Sequence, residues 1–470
     1  MMRQRVGYDD EVRSFSPPSC PNATLTCQLL VVGGGLSGLS AAEAAVTRGL
    51  DVIVIEKGVF GREAASGLNA GQFLTGWAKP IVTMLAELAR QEQDHGASAL
   101  QAQSRAQRRV RSFLRRTIEG CQRIAQLDRG YNLRASVRQG ATVAAMNDAD
   151  MAGLESAYKF MEDANFRGLM PLVGIRHAPF FQIHSARELQ KTCGTAEDVY
   201  AGGATDFFGG SFHPRKLLNG LARSLQNKGV RFFQETEAEA LDFPDHRVTV
   251  FCENGAAIHA DQVFMANAYA RHINGDALER AIFLYDYVVV VELPERSNVL
   301  TGTTVLSDTR DPCFYARRQR RRLYMGYVET AESSPEITRE VARQTLEEAR
   351  RIFPSLRVLG EQDIASAWSG RVFYTSDDYP FVERRNNGRL TTFAAPSDHG
   401  NSLAARVGQM VGELAAHTIV TSTTDEDKRS RYRVRRQLKL FEGFPKGLRL
   451  RPGMRYQEAA DAEGNRFSSL

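Results

Sequence analysis

Apolar residues fall in short blocks whose spacing changes along the chain, and each change predicts an element. Gln28–Val32 (QLLVV) is a β-branched run with the length of a buried strand. Ser40, Ala41, Ala42, Ala44 and Ala45 predict a close-packed helix ended by Gly49, and DVIVI at Asp51–Ile55 predicts a second buried strand. From 80 to 130 the chain turns polar and rich in Arg and Gln, with Ile81, Leu85, Leu88, Val110, Leu114, Ile118 and Ile124 at helical spacing. Tyr131 to Met146 alternates as strands do, and Met151–Gly168 predicts another amphipathic helix. His213-Pro214 opens a helix with the stripe Leu217, Leu218, Leu221 and Leu225, followed by a strand at Val230–Phe233. Val288–Val291 predicts a strand, and the run from Cys313 to Glu329 predicts a hairpin around a basic turn, Arg317–Arg322. Ser334-Pro335-Glu336 starts a helix that Pro354 stops, Leu390–Ala395 predicts a strand, and Leu403–Val420 predicts a small-residue helix.

The first strand runs into Gly33, Gly35 and Gly38 in GxGxxG spacing. The first glycine permits a tight turn, the second lets backbone approach a pyrophosphate, and the third lets helix pack on strand. Glu56 follows 18 residues after Gly38, where a carboxylate can take a ribose hydroxyl. Glycines placed only for packing would not require that acid. Strand, glycines, helix, strand and acid together predict a dinucleotide-binding unit, with phosphates on the N–H groups at the helix start. The small-residue segment Gly58–Trp77 then suits close approach to a flat ligand.

This style returns in three separated blocks, 26–78, 197–284 and 360–425. The fold class expected is α/β, a Rossmann-type dinucleotide domain interleaved with an α+β substrate domain. The second domain would be built on an antiparallel sheet from residues 79–196 and 285–359. Residues 1–25 read as a loose N-terminal extension, and 426–470 as a C-terminal tail packing on the body.

Composition narrows the partners. Sixty Lys and Arg against 55 Asp and Glu leave a net charge of +5, too mild to single out nucleic acid as a partner. The basic positions Arg108, Arg109, Arg111, Arg115 and Arg116, like the Arg317–Arg322 turn, read as solvated surface. Cys20, Cys27, Cys121, Cys193, Cys252 and Cys313 form no CxxC, and no apolar leader precedes them. They read as reduced thiols of a cytoplasmic protein, and the Asn22-Ala23-Thr24 sequon reads as coincidence. No apolar run is long enough to span a membrane. The nine histidines show no metal-ligand spacing, and no GxSxG or Ser-His-Asp pattern is present.

Several short motifs recur in one order through the chain. Those after Glu56 are Ser66-Gly67-Leu68-Asn69-Ala70-Gly71-Gln72, Gly209-Gly210-Ser211-Phe212-His213-Pro214 and Ala266-Asn267-Ala268-Tyr269. Ser307-Asp308-Thr309-Arg310, Tyr315-Ala316-Arg317, Arg322-Leu323-Tyr324-Met325-Gly326, Ala367-Trp368-Ser369-Gly370 and Asp398-His399-Gly400 follow. With them the chain resembles the glycine oxidase/D-amino-acid oxidase superfamily of FAD enzymes, and within it the γ-glutamylputrescine oxidase-like branch. It departs at Leu68, where the family usually has arginine, at Ala70 for glycine, and in a final loop reading SDHGNS. The arginine that clamps a substrate carboxylate in amino-acid oxidases falls here on Val372, with Arg371 one residue off. Strand neighbours face opposite ways, so this departure favours an amine, with Arg317 or Tyr315 left to hold an acid.

The resemblance implies non-covalent FAD, since no cysteine stands in Gly370-Arg371-Val372-Phe373, where sarcosine oxidase-like relatives attach theirs. It implies that Gly33, Gly35, Leu36, Ser37, Gly38, Glu56 and Lys57 hold the nucleotide with Glu237, Ala238, Ala266 and Asn267. Ser66, Gly67, Asn69, Ala70, Gly71, Gln72, Gly370, His399, Gly400, Asn401, Ser402 and Leu403 would complete the FAD site, with the helix start at Gly400–Leu403 toward the flavin. Tyr315, Arg317, Trp368 and His399 are the candidates facing substrate; His213 reads as the start of its helix rather than a base. The implied reaction is hydride transfer from the carbon beside nitrogen in an amine or an imino or amino acid, giving an imine. Oxygen or another acceptor would restore the cofactor, in a monomer or homodimer. An NAD(P)-dependent dehydrogenase and a non-catalytic FAD-binding protein are the competing readings. Interleaving counts against the first, because NAD units are usually contiguous.

Overall fold

The computed structural model describes residues 6–9, 11–76, 80–163, 181–244, 246–267, 281–375, 379–394 and 400–419, with Val434 and Leu438. Two sheets organise these residues. In the smaller, the strands run in the order Phe381–Arg385, Leu390–Ala394, Ala257–Met265, Thr24–Val32, Val52–Ile55 and Arg231–Phe233. The five from Leu390–Ala394 to Arg231–Phe233 are parallel; Phe381–Arg385 is an antiparallel edge. A hairpin, Ala238–Asp242 with Val248–Cys252, joins beside Ala257–Met265. The central strands are buried on both faces, which is why QLLVV and VIVI are continuous apolar runs rather than alternating ones.

The helix Leu36–Val46 crosses this sheet and packs against the helix Gly400–Ile419. Small residues allow the approach: a methyl on Gly408 or Gly412 would run into the carbonyl of Ser37 or Ala41. The long helix Ala99–Gly130 meets the same layer, with Gly120 against Ser402. Its start is a capping box, in which Gln101 N–H donates to Ser98 Oγ at 3.4 Å and Gln101 Oε1 accepts from Ser98 N–H at 3.3 Å. Arg116 and Arg123 of this helix are buried on ion pairs with Glu119 and Glu43, so Arg116 is not the solvated surface expected of it. Each pair supplies a counter-charge, without which burying an arginine would be costly.

The larger sheet runs Glu329–Thr330, Ala281–Glu292, Arg322–Gly326, Tyr315–Gln319, Val305–Asp308, Arg138–Ala145, Gly202–Ser211 and Gln72–Phe73. Ile364–Thr375 adds to Ala281–Glu292, and Phe181–Ser185 to Gly202–Ser211. It is antiparallel except where Val305–Asp308 meets Arg138–Ala145. Gly202–Ser211 and Ile364–Thr375 lie in this sheet although both fall in blocks of nucleotide-binding style. Their backbones pair with substrate-side strands, which periodicity within one strand cannot reveal. The helix Pro335–Ile352 covers the sheet, and Ser334 Oγ accepts from Ile337 N–H at 3.2 Å.

Two expectations are corrected here. Residues 6–9 and 11–20 are not loose. Tyr8, Phe15 and Cys20 are buried, Asp9 pairs with Arg215, and Glu11 pairs with Arg322. Nor is Arg317 part of an exposed turn. It lies in Tyr315–Gln319 at 1% exposure, and the chain reverses after it at Arg320 (φ 55°). All six cysteines are free thiols. Among the described residues, no helix is long and apolar enough to cross a membrane. His399, Asp398, Ala268, Tyr269 and the 426–470 tail other than Val434 and Leu438 lie outside the described residues.

Candidate functional site

A cavity of about 410 Å³ opens where the parallel sheet meets the larger one. One part of its wall is the N-terminal unit. Gly33 turns the chain at φ 114°, and a Cβ there would stand 2.8 Å from Ala266 O, so strand end and loop meet backbone to backbone. Gly38 sits beneath the helix rather than on the cavity; its Cβ would drive into the Gly33 carbonyl. Gly35 starts the helix Leu36–Val46 with no side-chain cap, which leaves N–H groups of its first turn for another acceptor. Leu36 N–H donates to Ser66 Oγ at 3.1 Å, tying this turn to the next loop.

Glu56 stands just past Val52–Ile55. Its Oε2 accepts from Gly34 N–H at 2.8 Å and its Oε1 from Gly58 N–H at 3.1 Å. Two backbone donors fix the carboxylate at the cavity wall and leave lone pairs for a hydroxyl. Lys57 and Glu237, 3.9 Å apart and largely exposed, flank it with Thr236 and Ala238.

On the far wall stands Asn69. Its Nδ2 donates to Ser66 O at 3.0 Å and its Oδ1 accepts from Gly71 N–H at 2.7 Å. Asn401 Nδ2 donates to Gln72 O at 2.6 Å, and Ser402 Oγ to Leu74 O at 2.9 Å. The start of the Gly400–Ile419 helix is thereby strapped to the 66–74 loop. Gly400, Asn401 and Ala404 face the cavity, so the positive end of that helix dipole does too.

Of the residues expected at a cofactor, Gly33, Gly35, Ser37, Glu56, Lys57, Ser66, Asn69, Glu237, Ala238, Ala266, Asn267, Gly370, Gly400 and Asn401 line the cavity. Leu36, Gly38, Gly67, Ala70, Gly71, Gln72, Ser402 and Leu403 stand behind it as bracing. Of the residues expected at substrate, Tyr315, Arg317 and Trp368 do not line it. Tyr315 and Trp368 belong to a buried cluster with Tyr8, Tyr324 and Val290, and Arg317 is buried against Tyr8 and Tyr324. Arg317 donates to Phe212 O at 2.6 Å and to the Tyr8 hydroxyl at 3.2 Å, and its guanidinium lies 4.1 Å from the Tyr324 ring centre. Trp368 Nε1 donates to Leu68 O at 2.7 Å, and Tyr8 donates to Asn69 O at 3.1 Å. The cluster therefore backs the loop that carries Asn69.

His213 is the N-cap of Pro214–Gln226. Its Nδ1 accepts from Lys216 N–H at 3.3 Å, so its proton is on Nε2, which stands 3.3 Å from Glu11 Oε2. Burial lowers the His213 pKa. Burial also pushes the Glu11 carboxyl up, but hydrogen bonding and charge from His213, with Arg322, outweigh it and hold the group at about 2.

Asp286, Val288 and Thr236 are among the lining residues that the sequence does not single out. Asp286 and Val288 line the cavity from Ala281–Glu292, and Thr236 does so beside Glu237. The available signal was a single carboxylate opening a run of valines. Arg371 lines the cavity too, but its register partner is Tyr285, on the strand face opposite Asp286. It donates to Tyr285 Oη at 3.1 Å.

A parallel βαβ sheet with a glycine turn, an acid after its second strand and a cavity closed by a second sheet defines a dinucleotide-binding α/β protein. The chain belongs to the FAD-dependent oxidoreductase family, whose model matches residues 28–414, and it is an FAD-dependent oxidoreductase. It is 26% identical over 434 residues to the probable oxidoreductase OrdL of Rhizobium meliloti (strain 1021), covering 90% of this chain and 88% of the relative. It is 24% identical over 417 residues to gamma-glutamylputrescine oxidoreductase of Escherichia coli (strain K12), covering 87% and 88%. Among solved structures, L-proline dehydrogenase from P. horikoshii superposes with a TM-score of 0.64 at 17% identity, covering 90% of this chain and 99% of that one. Glycine oxidase from Geobacillus kaustophilus gives 0.60 at 20% identity, covering 83% and 95%. These likenesses show a shared fold. The cavity fits the family's cofactor: it has an uncapped helix start beside Gly35, a carboxylate at Glu56 and a second helix start at Gly400. Buried behind Asn401, Gln72 Nε2 has no partner among the described residues.

Proposed function

We propose that this enzyme oxidises a C–N bond in an amine or an imino or amino acid. The observation that carries the reading is the continuity of one cavity from Gly33 and Glu56 to Asn69, Asn401 and the strand face of Asp286, Val288 and Gly370. FAD, when bound, accepts the hydride from the carbon beside nitrogen. Glu56 would take the ribose, and Gly33, Gly35 and Ser37 the pyrophosphate. The first turn at Gly400, with Asn401, would set N–H donors against negative charge at the flavin end. Asn69, braced by Trp368 and Tyr8, would keep that loop in register, and the apolar wall would exclude water.

The cofactor would be held without a covalent link. The described residues lining the cavity include no cysteine, histidine or tyrosine. Oxygen or another external acceptor would restore it. The E. coli relative's name supports an amine, as does Val372 at the expected clamp position.

Purified protein mixed without oxygen with a panel of amines, N-methyl amino acids and cyclic imino acids tests this. Bleaching of the visible flavin absorption by at least one member, with the matching aldehyde or ketone by mass, is the expected outcome. A flavin-loaded protein that no member bleaches would refute it.

A further inference from the structure

Strands Ala281–Glu292 and Ile364–Thr375 pair in a register that sets Asp286 opposite Gly370, Val288 opposite Trp368 and Leu284 opposite Val372. Directly opposed residues share a face. Asp286, Val288, Gly370 and Val372 therefore form one wall, and all four line the cavity. Arg371 opposes Tyr285 and belongs to the other face. Among the described residues of this strand face, Asp286 is the one carboxylate, with Val288 and Val372 as neighbours. Its cross-strand partner has no side chain, which lets Leu68 approach: a Cβ on Gly370 would project to within 3.3 Å of Leu68 Cβ.

The carboxylate is also aimed. Tyr315 donates its hydroxyl to Asp286 Oδ2 at 2.7 Å, and Tyr287 N–H donates to Oδ1 at 2.8 Å. Tyr315 reaches that position by lying across Gly326, its register partner, where any Cβ would collide with the ring. A carboxylate offers about four lone-pair sites, and these two donors fix its orientation. Two glycines and a tyrosine thus set the Asp286 carboxylate in the wall of the cavity that Asn69, Gly370, Arg371 and Asn401 also line. A carboxylate on an apolar wall pairs best with a hydrogen-bonding cation, and it repels another carboxylate.

We propose that Asp286, oriented by Tyr315, is the anchor for a substrate ammonium group. It selects aliphatic primary or secondary amines with no carboxylate on the carbon beside nitrogen. This deepens, and rests on, the reading of the cavity as a site of amine oxidation.

The test uses the flavin-loaded full chain and equilibrium binding, read as perturbation of the visible flavin spectrum. Butylammonium and 1,4-diaminobutane are the cationic probes and butyrate is the anionic one. The wild type binds the cations and not butyrate. Asp286→Asn weakens cation binding by at least about tenfold, the factor of one charge-assisted hydrogen bond, with flavin content unchanged. Asp286→Glu restores most of it, and Tyr315→Phe gives a smaller loss. Equal cation binding by the wild type and Asp286→Asn would overturn the proposal. So would butyrate binding as tightly as butylammonium, or no cation binding in the wild type. If Asp286→Asn unfolds, flavin-loaded Tyr315→Phe with unchanged cation binding overturns it as well. Bleaching by the amine panel separates the two readings. Amines that bleach both proteins at equal affinity leave C–N oxidation standing and remove the anchor. Cations that bind through Asp286 while nothing bleaches leave the anchor and remove the oxidation.

Discussion

The wall of the cavity at Gly33–Glu56 and the wall around Tyr8, Arg317 and Trp368 are built on opposite plans. The first is one contiguous stretch. Its strand, turn, helix, strand and acid lie in chain order, and its key bond, Gly34 N–H to Glu56 Oε2, spans 22 residues. The second is assembled from distant segments. Tyr8 meets Arg317 across 309 residues, and Trp368 meets Leu68 across 300. A contiguous unit announces its geometry in its spacing. A discontinuous one can be identified from its residues but not placed, because burial and partners are decided by pieces that share no local pattern.

That contrast is sharpest at Tyr8. It is fully buried, stacks on Tyr324 at 5.3 Å between ring centres, and meets Trp368 edge-on at 5.4 Å. Tyr8→Ala should lower stability by about 3–5 kcal/mol, as truncation of a buried aromatic does, and leave Arg317 without its hydroxyl partner. Urea unfolding checks this. A loss under about 1 kcal/mol, as at an ordinary surface position, would show that the N-terminal segment is as loose as its composition suggests.

The contiguous wall should fail differently. Gly38→Ala forces a methyl into the Gly33 carbonyl. The overpacking should cost about 1–3 kcal/mol and shift the turn that meets the cofactor. Flavin content after gel filtration should therefore fall more than the melting temperature does. A variant that keeps full flavin would separate the glycine motif from cofactor binding.

The smallest effect expected is one of pH, again in the discontinuous wall. Despite burial, His213 and Arg322 hold the Glu11 carboxyl at about 2 in the folded chain, against an ordinary value of 4.5. Its folded pKa is depressed, so its stabilisation is present above pH 4.5 and is lost as pH falls through 2. Because the side chain is partly exposed, the contribution at neutral pH is about 1–2 kcal/mol after screening is discounted. Glu11→Gln should therefore destabilise the protein at pH 6 and matter progressively less toward pH 2, by denaturant midpoints at each pH. An equal loss at both ends would assign Glu11 a packing role instead of an ionic one.

Much of the fold was legible because period and punctuation are local. The Leu217–Leu225 stripe, proline after His213, Ser334 before Pro335 and the two continuous apolar strands each specify an element with no help from elsewhere. Fourteen of the residues expected at the cofactor line one cavity, since glycine spacing and a terminal acid are constraints of backbone approach. Arg317 was misjudged because a basic run looks the same whether it is solvated or turned inward onto Tyr324. Asp286 was missed because a carboxylate at the start of a valine run carries no mark of what lies across the sheet.

The chain by itself therefore determined the dinucleotide unit, the class of fold and the family, all properties of short-range spacing and ordered motifs. Only the tertiary structure decided that Tyr8 and Phe15 are buried in the core and that Tyr315 and Trp368 stand behind the cavity. It also decided that Asp286 pairs with Gly370 and lines the cavity. The physical reason is strand register. A shift of one residue exchanges the two faces of a strand, and register is set by partners hundreds of residues away.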